Sequence, residues 1–209
     1  MKLLLHPAYC PDIVTFAAIV QHEIVWEVED NYQKQTYRNR CYICTDQGKH
    51  MMNIPIRHTG GNQGRQKYRD VRLDNTYNWQ RQHWRTLQTA YRTSPFFEFY
   101  EEDLAPVYHR RFGFLLDFNL EAIAIICNLV HIEMPQSKTT SYEESPKGIY
   151  DGRFLIHSKK DPLPFPMRYH QVFADRHGFV LNVSVLDLLF NMGTTSLTEL
   201  QELTLPFNG

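Results

Sequence analysis

The sequence predicts an α/β protein whose single mixed, partly parallel sheet is opened by a strand–helix–strand unit and packed by helices. Three observations predict it. A buried run, "KLLL" (residues 2–5), ends at a proline-bracketed break and leads into a stretch of helical period. A second extended run, "EIVWEVED" (residues 23–30), follows at once, and such crossovers make the two strands parallel neighbours. Further on, two extended runs around "TDQGK" predict an antiparallel hairpin.

The first helix is expected from Pro11 onward, because proline suits the first helical turn and the apolar residues then recur at helical spacing. The hairpin is expected to turn at residues 46–48. Later helices are predicted over residues 79–93, 104–112 and 120–130, and after Ser184, where Asp187 would complete a capping box and Gly193 would end the helix. Residues 135–166 are predicted as a loop-rich segment of one domain spanning 1–209, with a strand near 154–157.

Composition excludes several classes of protein. Hydrophobic residues make up 43% of the 209 residues and charged residues 22%, as in average soluble proteins. The formal net charge of −1 argues against general nucleic-acid binding. Residues 34–92, however, hold twelve Lys or Arg and three Asp, a local balance of +9. This basic segment predicts an anionic small-molecule substrate or a local docking face.

The sequence has the pattern of a cytoplasmic protein. The most apolar stretch, residues 112–132, contains Asp, Glu and Asn, so no transmembrane segment is expected. A secretory signal is also not expected, because only three leucines precede His6. Cys41 and Cys44 have CxxC spacing, but no second pair completes four zinc ligands; we expect packing within a strand and no metal site.

A candidate site follows the first two strands. His6 stands at the carboxyl end of the first, and Glu27, Glu29 and Asp30 stand toward the same end of the second. In open α/β sheets ligands bind beyond these ends. An imidazole and carboxylates gathered there predict acid–base chemistry, with Glu29 and His6 as catalytic candidates and Asp30 as a substrate ligand. The structural alternative is that His6 bonds the backbone of a tight turn and the carboxylates face solvent.

Further candidates come from the basic segment. The Arg40 guanidinium, beside Asn39, would bind a carboxylate or phosphate, or would lie on a solvated strand face. His83 lies on the apolar stripe of the helix predicted at 79–93, and a hydrogen-bonded core histidine is the alternative to catalysis. Arg81 and Tyr91, on the same helix, are candidates for substrate binding. Arg81, with Arg85 four residues on, would line an anion groove or would lie on a solvated helix face. The loop "TGGNQG" lacks the lysine of a P-loop, and GxSxG, GxGxxG and HExxH are absent from the sequence.

Taken together, segments spread in order over nearly the whole chain resemble the WbqC-like protein family. They are "HPAYCPDIVTF", "EIVWEVED", "YRNR", "NIPI", "WQRQHWRTLQTAYRTSPFFEFY", "LLDFNLEAIAIICNLVHI" and "YHQVFADRHGFVLNVSVLDLLFNMG". Members typically carry Gln-Pro where His6-Pro7 stands here. The resemblance therefore points to Tyr9, Asn39, Arg40 and His83, which stand where the family pattern is matched.

The resemblance implies a transferase of bacterial O-antigen or other lipopolysaccharide synthesis, adding an acyl or aminoacyl group to an amino sugar. Tyr9 and His83 or His6 would then be catalytic, Asn39 and Arg40 would supply hydrogen-bond donors, and a nucleotide or nucleotide-sugar would be a substrate. Other envelope-synthesis enzymes would be partners. Two alternatives stay open: a nucleotide-binding enzyme with a nucleotidyl-transfer-like activation step, and a non-catalytic scaffold subunit.

Overall fold

The protein is described by a computed structural model that covers residues 1–57, 66–158, 167–205 and 207. The loop "TGGNQG" and the end of the loop-rich segment, 159–166, lie outside the described residues. In chain order the elements are β1 (Lys2–Leu5), α1 (Ile13–Gln21), β2 (Glu23–Trp26), β3 (Arg40–Thr45), β4 (Gly48–Asn53), α2 (Trp79–Tyr91), α3 (Phe97–His109), α4 (Leu115–Leu129), β5 (Tyr150–Asp151), α5 (Ala174–His177), α6 (Val185–Met192) and α7 (Ser196–Glu202).

The chain opens with the predicted strand–helix–strand unit. Strands β1 and β2 pair in parallel, from Lys2 opposite Glu23 to Leu5 opposite Trp26. The helix between them, α1, begins after Asp12, whose carboxylate accepts a hydrogen bond from the Thr15 amide at 2.8 Å. Such a cap satisfies a backbone donor that the first turn leaves unpaired. The α/β class and its parallel opening are therefore confirmed.

The parallel and antiparallel strands form two separate sheets rather than one. The parallel sheet has the order β2-β1-β5. Within the described ranges, β3 pairs only with β4, around a two-residue turn at Asp46-Gln47. The edges of the parallel sheet explain the separation. Strand β5 lies along one side of β1, and residues 137–139 hydrogen-bond the free edge of β2 through the Trp26 amide and carbonyl. The β2 edge of the sheet is therefore not open to the hairpin.

Side chains of β1 and β2 alternate between two faces of the sheet, as strand geometry requires. Leu3, Leu5, Ile24 and Trp26 belong to the main hydrophobic core together with the helices. Leu4 is buried but lies outside that core, on the opposite face. The alternation fixes which residues beyond each strand share a face, and this places the candidate site.

Several helices and strands have bounds that differ from those predicted. Helix α2 matches the prediction, but α3 begins at Phe97 and α4 at Leu115, seven and five residues earlier than expected. The strand predicted near 154–157 is instead a 3₁₀ helix, Arg153–Ile156, directly after the short strand β5. Within the described residues, no helix is both long and apolar enough to cross a membrane.

Gly152 stands where β5 meets the 3₁₀ helix, pressed against β1. A Cβ at this position would lie 2.7 Å from Leu5 Cδ2, 2.8 Å from Leu3 Cδ1 and 3.1 Å from the Leu4 carbonyl oxygen. We expect Gly152→Ala to lower the free energy of unfolding by about 1–3 kcal/mol, the usual effect of overpacking, measured by urea denaturation.

The matched control is Gly113→Ala, because a Cβ at Gly113 meets no atom within 4 Å. We expect a change within about 0.5 kcal/mol there. Equal stabilities for the two alanine variants would contradict the packing assigned to Gly152.

Candidate functional site

The parallel register brings two polar side chains to the same face beyond the carboxyl ends of the strands. His6 follows Leu5 and Glu27 follows Trp26, and the Glu27 amide donates to the Leu5 carbonyl at 2.7 Å. By alternation, His6 shares the face of Leu4, and Glu27 shares the face of Val25. This is the edge of a parallel sheet at which ligands bind.

Asp30 joins His6 to a buried arginine. Its Oδ2 accepts hydrogen bonds from His6 Nε2 and from Arg38 Nη2, both at 2.9 Å, and its Oδ1 accepts from the Asn31 amide at 2.6 Å. We call His6, Asp30 and Arg38 the Asp30 cluster. An ionised carboxylate only accepts, so His6 Nε2 carries the proton and Nδ1 keeps its lone pair. His6 Nδ1 has no hydrogen-bond partner among the described residues.

Burial sets the charges in the Asp30 cluster. It lowers the pKa of His6 to about 4, although the hydrogen bond to Asp30 opposes the shift. Burial alone would raise the pKa of Asp30, but the hydrogen bond from His6 and the charge of Arg38 outweigh it, so that pKa lies below its ordinary value. At neutral pH the cluster therefore holds a neutral imidazole beside an ionised carboxylate.

Arg38 is fully buried. The sequence predicted its neighbours Asn39 and Arg40 as site residues, but not Arg38 itself. Its guanidinium lies 5.3 Å from the centre of the Tyr68 ring, while Nε and Nη1 lack hydrogen-bond partners among the described residues. The Tyr68 hydroxyl donates to the Pro7 carbonyl at 2.6 Å. This hydrogen bond holds the ring that contacts Arg38 against the bend after β1. The only signal in the sequence was its place in "YRNR", within the basic segment.

The two neighbours of Arg38 that sequence analysis selected lie at the base of the hairpin. The Asn39 amide donates to Asn53 Oδ1 and to the Ile54 carbonyl, both at 3.1 Å. Arg40 is partly exposed, and its Nε donates to the same Asn53 oxygen at 3.4 Å. The Asn39 side-chain amide therefore bonds within the base of the hairpin. Of the Arg40 guanidinium, only Nε donates a hydrogen bond among the described residues.

Glu27 shapes the turn that carries the other carboxylates. It is 1% exposed, and its Oε1 accepts from the amides of Glu29 at 2.8 Å and Asp30 at 3.2 Å. Glu29, a catalytic candidate, is ion-paired to Lys67 at 2.8 Å and to Arg69. The hydrogen bond from Lys67, with the charge of Arg69, lowers the pKa of Glu29. Glu29 therefore carries a charge at neutral pH and is poorly suited to donate a proton.

Tyr9 and His83 form a second buried cluster. The Tyr9 hydroxyl and His83 Nδ1 lie 2.8 Å apart in a hydrogen bond, and the two rings stack at 5.6 Å between centroids. His83 also bonds the Asn53 backbone, and burial lowers its pKa to about 4. Tyr9 is fully buried and His83 is 8% exposed. The structure thus brings these two candidates together, in a pairing that occupies His83 Nδ1.

Tyr91 belongs to a third polar cluster, around Asp187. The interpretation of Asp187 as a capping residue is wrong: its carboxylate is buried and accepts from the hydroxyls of Tyr91 at 2.7 Å and Tyr169 at 2.5 Å and from Gln171 Nε2 at 2.9 Å. Burial raises the pKa of Asp187. Ser184 does cap α6, as predicted. Tyr91 is 1% exposed and lies away from the surface.

Arg81 lies in the first turn of α2, on the wall of an open cavity. The cavity measures about 530 Å³, and Tyr77, His109 and Arg111 also line it. Arg81 is exposed, and the cavity brings it together with a second arginine and an aromatic ring. Among the described residues, no group of three or more His, Cys, Asp or Glu side chains is arranged to hold a metal ion. Cys41 and Cys44 are free and buried in the strand.

These features define a small α/β protein with a buried histidine–aspartate–arginine cluster at the carboxyl edge of a parallel sheet. The WbqC-like protein family matches residues 6–159, and the chain belongs to that family. The chain is 26% identical over 205 residues to the uncharacterized protein Rv1507c of Mycobacterium tuberculosis (strain ATCC 25618 / H37Rv), covering 84% of this chain and 86% of the relative. No solved structure matched the chain.

The pKa of His6 makes stability depend on pH. Unfolded His6 binds a proton near pH 6.5, whereas native His6 stays neutral down to about pH 4. Between these values the unfolded chain binds more protons, so this contribution is complete above pH 6.5 and is lost as pH falls. We expect the stability of the native protein relative to His6→Gln to fall by about 3 kcal/mol between pH 7 and pH 4.

Urea denaturation at a series of pH values measures this difference, with the exposed His170→Gln as the matched control. A difference between the native protein and His6→Gln that stays constant with pH would show that His6 is not held neutral by burial.

Proposed function

We propose that this protein is a transferase of bacterial cell-envelope glycan or glycolipid synthesis that adds an acyl or aminoacyl group to the amine of an amino sugar. The observation that carries the proposal is His6 Nδ1, a basic nitrogen that is buried, unprotonated and without a partner among the described residues. It lies at the carboxyl edge of the parallel sheet. The resemblance to the WbqC-like family supplies the substrate class.

The Asp30 cluster supports a simple course for the reaction. The amine nitrogen attacks the carbonyl carbon of an activated donor, a new C–N bond forms, and the bond to the leaving group breaks. His6 Nδ1 takes the proton that the amine loses and passes it to the leaving group. Asp30, 2.9 Å from Nε2, stabilises the imidazolium that forms and fixes the ring orientation.

The hydrogen bonds favour His6 over His83 as the base. His83 Nδ1 is bonded to Tyr9, and its ring also bonds the Asn53 backbone. In this proposal Tyr9 and His83 support the core, and Arg38 positions Asp30. Arg40 would bind an anionic donor, a role that its partial exposure and its guanidinium support.

His6→Gln separates proton transfer from hydrogen bonding. Glutamine can still donate to Asp30 but cannot accept the proton. Incubation with glucosamine and a set of activated donors (acetyl-coenzyme A, or ATP with each amino acid) is read by mass spectrometry. We expect an acylated amino sugar from the native protein. We expect His6→Gln to acylate the sugar at a rate at least about 100-fold lower.

The control is His170→Gln, an exposed histidine that we expect to leave the rate unchanged. Full activity of His6→Gln would overturn the role of His6, and the absence of an acylated sugar with every donor would overturn the reaction class.

A nucleotide-binding enzyme is the second candidate function, and the cavity at the start of α2 favours it. Its two arginines, Arg81 and Arg111, suit phosphate groups, and the exposed ring of Tyr77 suits a base. We expect ATP or CTP with Mg²⁺ to raise the melting temperature of the native protein, and the double variant Arg81→Ser, Arg111→Ser to lose this shift.

The control is Arg85→Ser, one turn further along α2, which lines a different cavity and should keep the shift. A native protein whose melting temperature does not respond to either nucleotide would rule out this second function.

A further inference from the structure

A second cavity lies on the face of the parallel sheet that points away from the main core. Leu4 and Val25, which are paired across β1 and β2, line it together with Glu27, and its volume is about 250 Å³. The opposite wall comes from the segment 138–149 and includes three consecutive hydroxyl side chains, Thr139, Thr140 and Ser141. We call this the loop-covered cavity. It combines a short apolar floor with a hydroxyl-rich wall.

Glu27 lines the loop-covered cavity, and one of its carboxylate oxygens accepts no hydrogen bond from the described residues. All three hydrogen bonds to Glu27 go to Oε1: those from the Glu29 and Asp30 amides and one from the Thr139 hydroxyl at 3.0 Å. Oε2 is buried and accepts no hydrogen bond within the described part of the chain. It forms an ion pair with Arg153 Nη1 at 3.6 Å, and the same arginine is paired more closely with Asp151, at 2.8 Å. A buried acceptor left unpaired costs free energy, so this oxygen favours a ligand that donates to it.

The dimensions and lining restrict the ligand. Pockets for drug-sized ligands measure about 300–1,000 Å³, so a cavity of about 250 Å³ suits a single ring. The apolar floor suits the C–H face of such a ring, and the hydroxyls suit its own hydroxyl groups. Lys138 and Lys147 also line the cavity but are exposed, where solvent screens their charge, whereas the Glu27 carboxylate is buried. Arg153 is shared between Glu27 and Asp151, so the two carboxylates exceed it by one negative charge and favour a ligand group that donates hydrogen bonds, such as an amine.

We propose that the loop-covered cavity binds a hydroxylated ring that carries a primary amine, an amino sugar, through a hydrogen bond from the ligand to Glu27 Oε2. Its identity as the acceptor rests on the transferase function proposed above. The register supports this placement: Leu4 precedes Leu5 and His6, Val25 precedes Trp26 and Glu27, and alternation sets His6 and Glu27 on this same face. His6 does not line the cavity itself, but it follows the lining residue Leu4 by two positions, at the same end of the paired strands as Glu27.

Equilibrium binding of glucosamine to the full chain tests the proposal, with glucose, which lacks the amine, as the ligand control. We expect glucosamine to bind at least about 10-fold more tightly than glucose, as a charge-assisted hydrogen bond implies. Glu27→Gln keeps an oxygen for the Glu29 and Asp30 amides and removes the charge, and we expect it to weaken glucosamine binding by a similar factor.

Two further variants complete the test. Ser141→Trp places a large ring in the loop-covered cavity from an exposed position, and we expect it to abolish binding without disturbing Glu27. Glu144→Gln changes an exposed carboxylate of the same segment that does not line the cavity, and it should bind like the native protein. Isothermal titration calorimetry measures each affinity, and far-UV circular dichroism confirms that each variant is folded.

Each outcome decides the proposal. Glucosamine binding that is undetectable in the native protein, or unchanged in Ser141→Trp, overturns the site. Equal affinity for glucose and glucosamine, or unchanged affinity in Glu27→Gln, overturns the amine recognition.

The proposed function fails separately from this inference. If glucosamine binds as expected but His6→Gln acylates it at the native rate, the role of His6 fails and the cavity stands. If acylation depends on His6 but Ser141→Trp binds glucosamine as tightly as the native protein does, the proposed binding site is wrong and the role of His6 stands.

Discussion

The Asp30 carboxylate is the interaction on which the candidate site depends. One of its oxygens accepts from both His6 and Arg38, so a single buried acid orients the imidazole and neutralises the guanidinium. Breaking such a buried pair leaves an uncompensated charge, which costs far more than a surface ion pair contributes. The same contact joins three stretches of chain, the bend after β1, the turn after β2 and the approach to β3. The chemistry of the site and the local fold are therefore stabilised together.

Glu27 has a comparable role in the backbone. Its Oε1 binds the amides of Glu29 and Asp30, which lets the chain turn sharply after β2 and aims Asp30 at His6. The other oxygen accepts no hydrogen bond from the described residues, and Glu27 is one of the residues that line the loop-covered cavity. One carboxylate thus fixes the turn that carries Asp30 and, in the proposal above, also binds the ligand. Buried polar groups are usually fully hydrogen-bonded, and the proposal rests on this exception beside a cavity.

Local patterns predicted much of the architecture. The strand–helix–strand opening, the hairpin turn at Asp46-Gln47 and the Ser184 cap all follow from residues close together in sequence. The separation into two sheets was not predictable in this way. It results from residues 137–139 occupying the edge of β2, a contact between segments more than a hundred residues apart. No periodicity in the sequence reports such a contact.

The candidate site was predictable in position but not in its partners. The location of His6, Glu27 and Asp30 follows from the parallel register. Arg38 could not be distinguished from Arg40 by sequence, because both are arginines in an extended basic segment and only folding buries one of them. For Asp187 the local spacing was misleading, because it fits a capping residue. In the structure its carboxylate accepts hydrogen bonds from Tyr91 and Tyr169, which lie in other parts of the chain.

The central claim is that Asp30 holds a neutral His6 with the proton on Nε2 and a free lone pair on Nδ1. Nitrogen-15 NMR of the histidine ring across a pH titration measures both the tautomer and the pKa. We expect an Nε2–H tautomer that persists below pH 6 and titrates near a pKa of about 4. An imidazole that titrates near pH 6.5, or one protonated on Nδ1 at neutral pH, would contradict it.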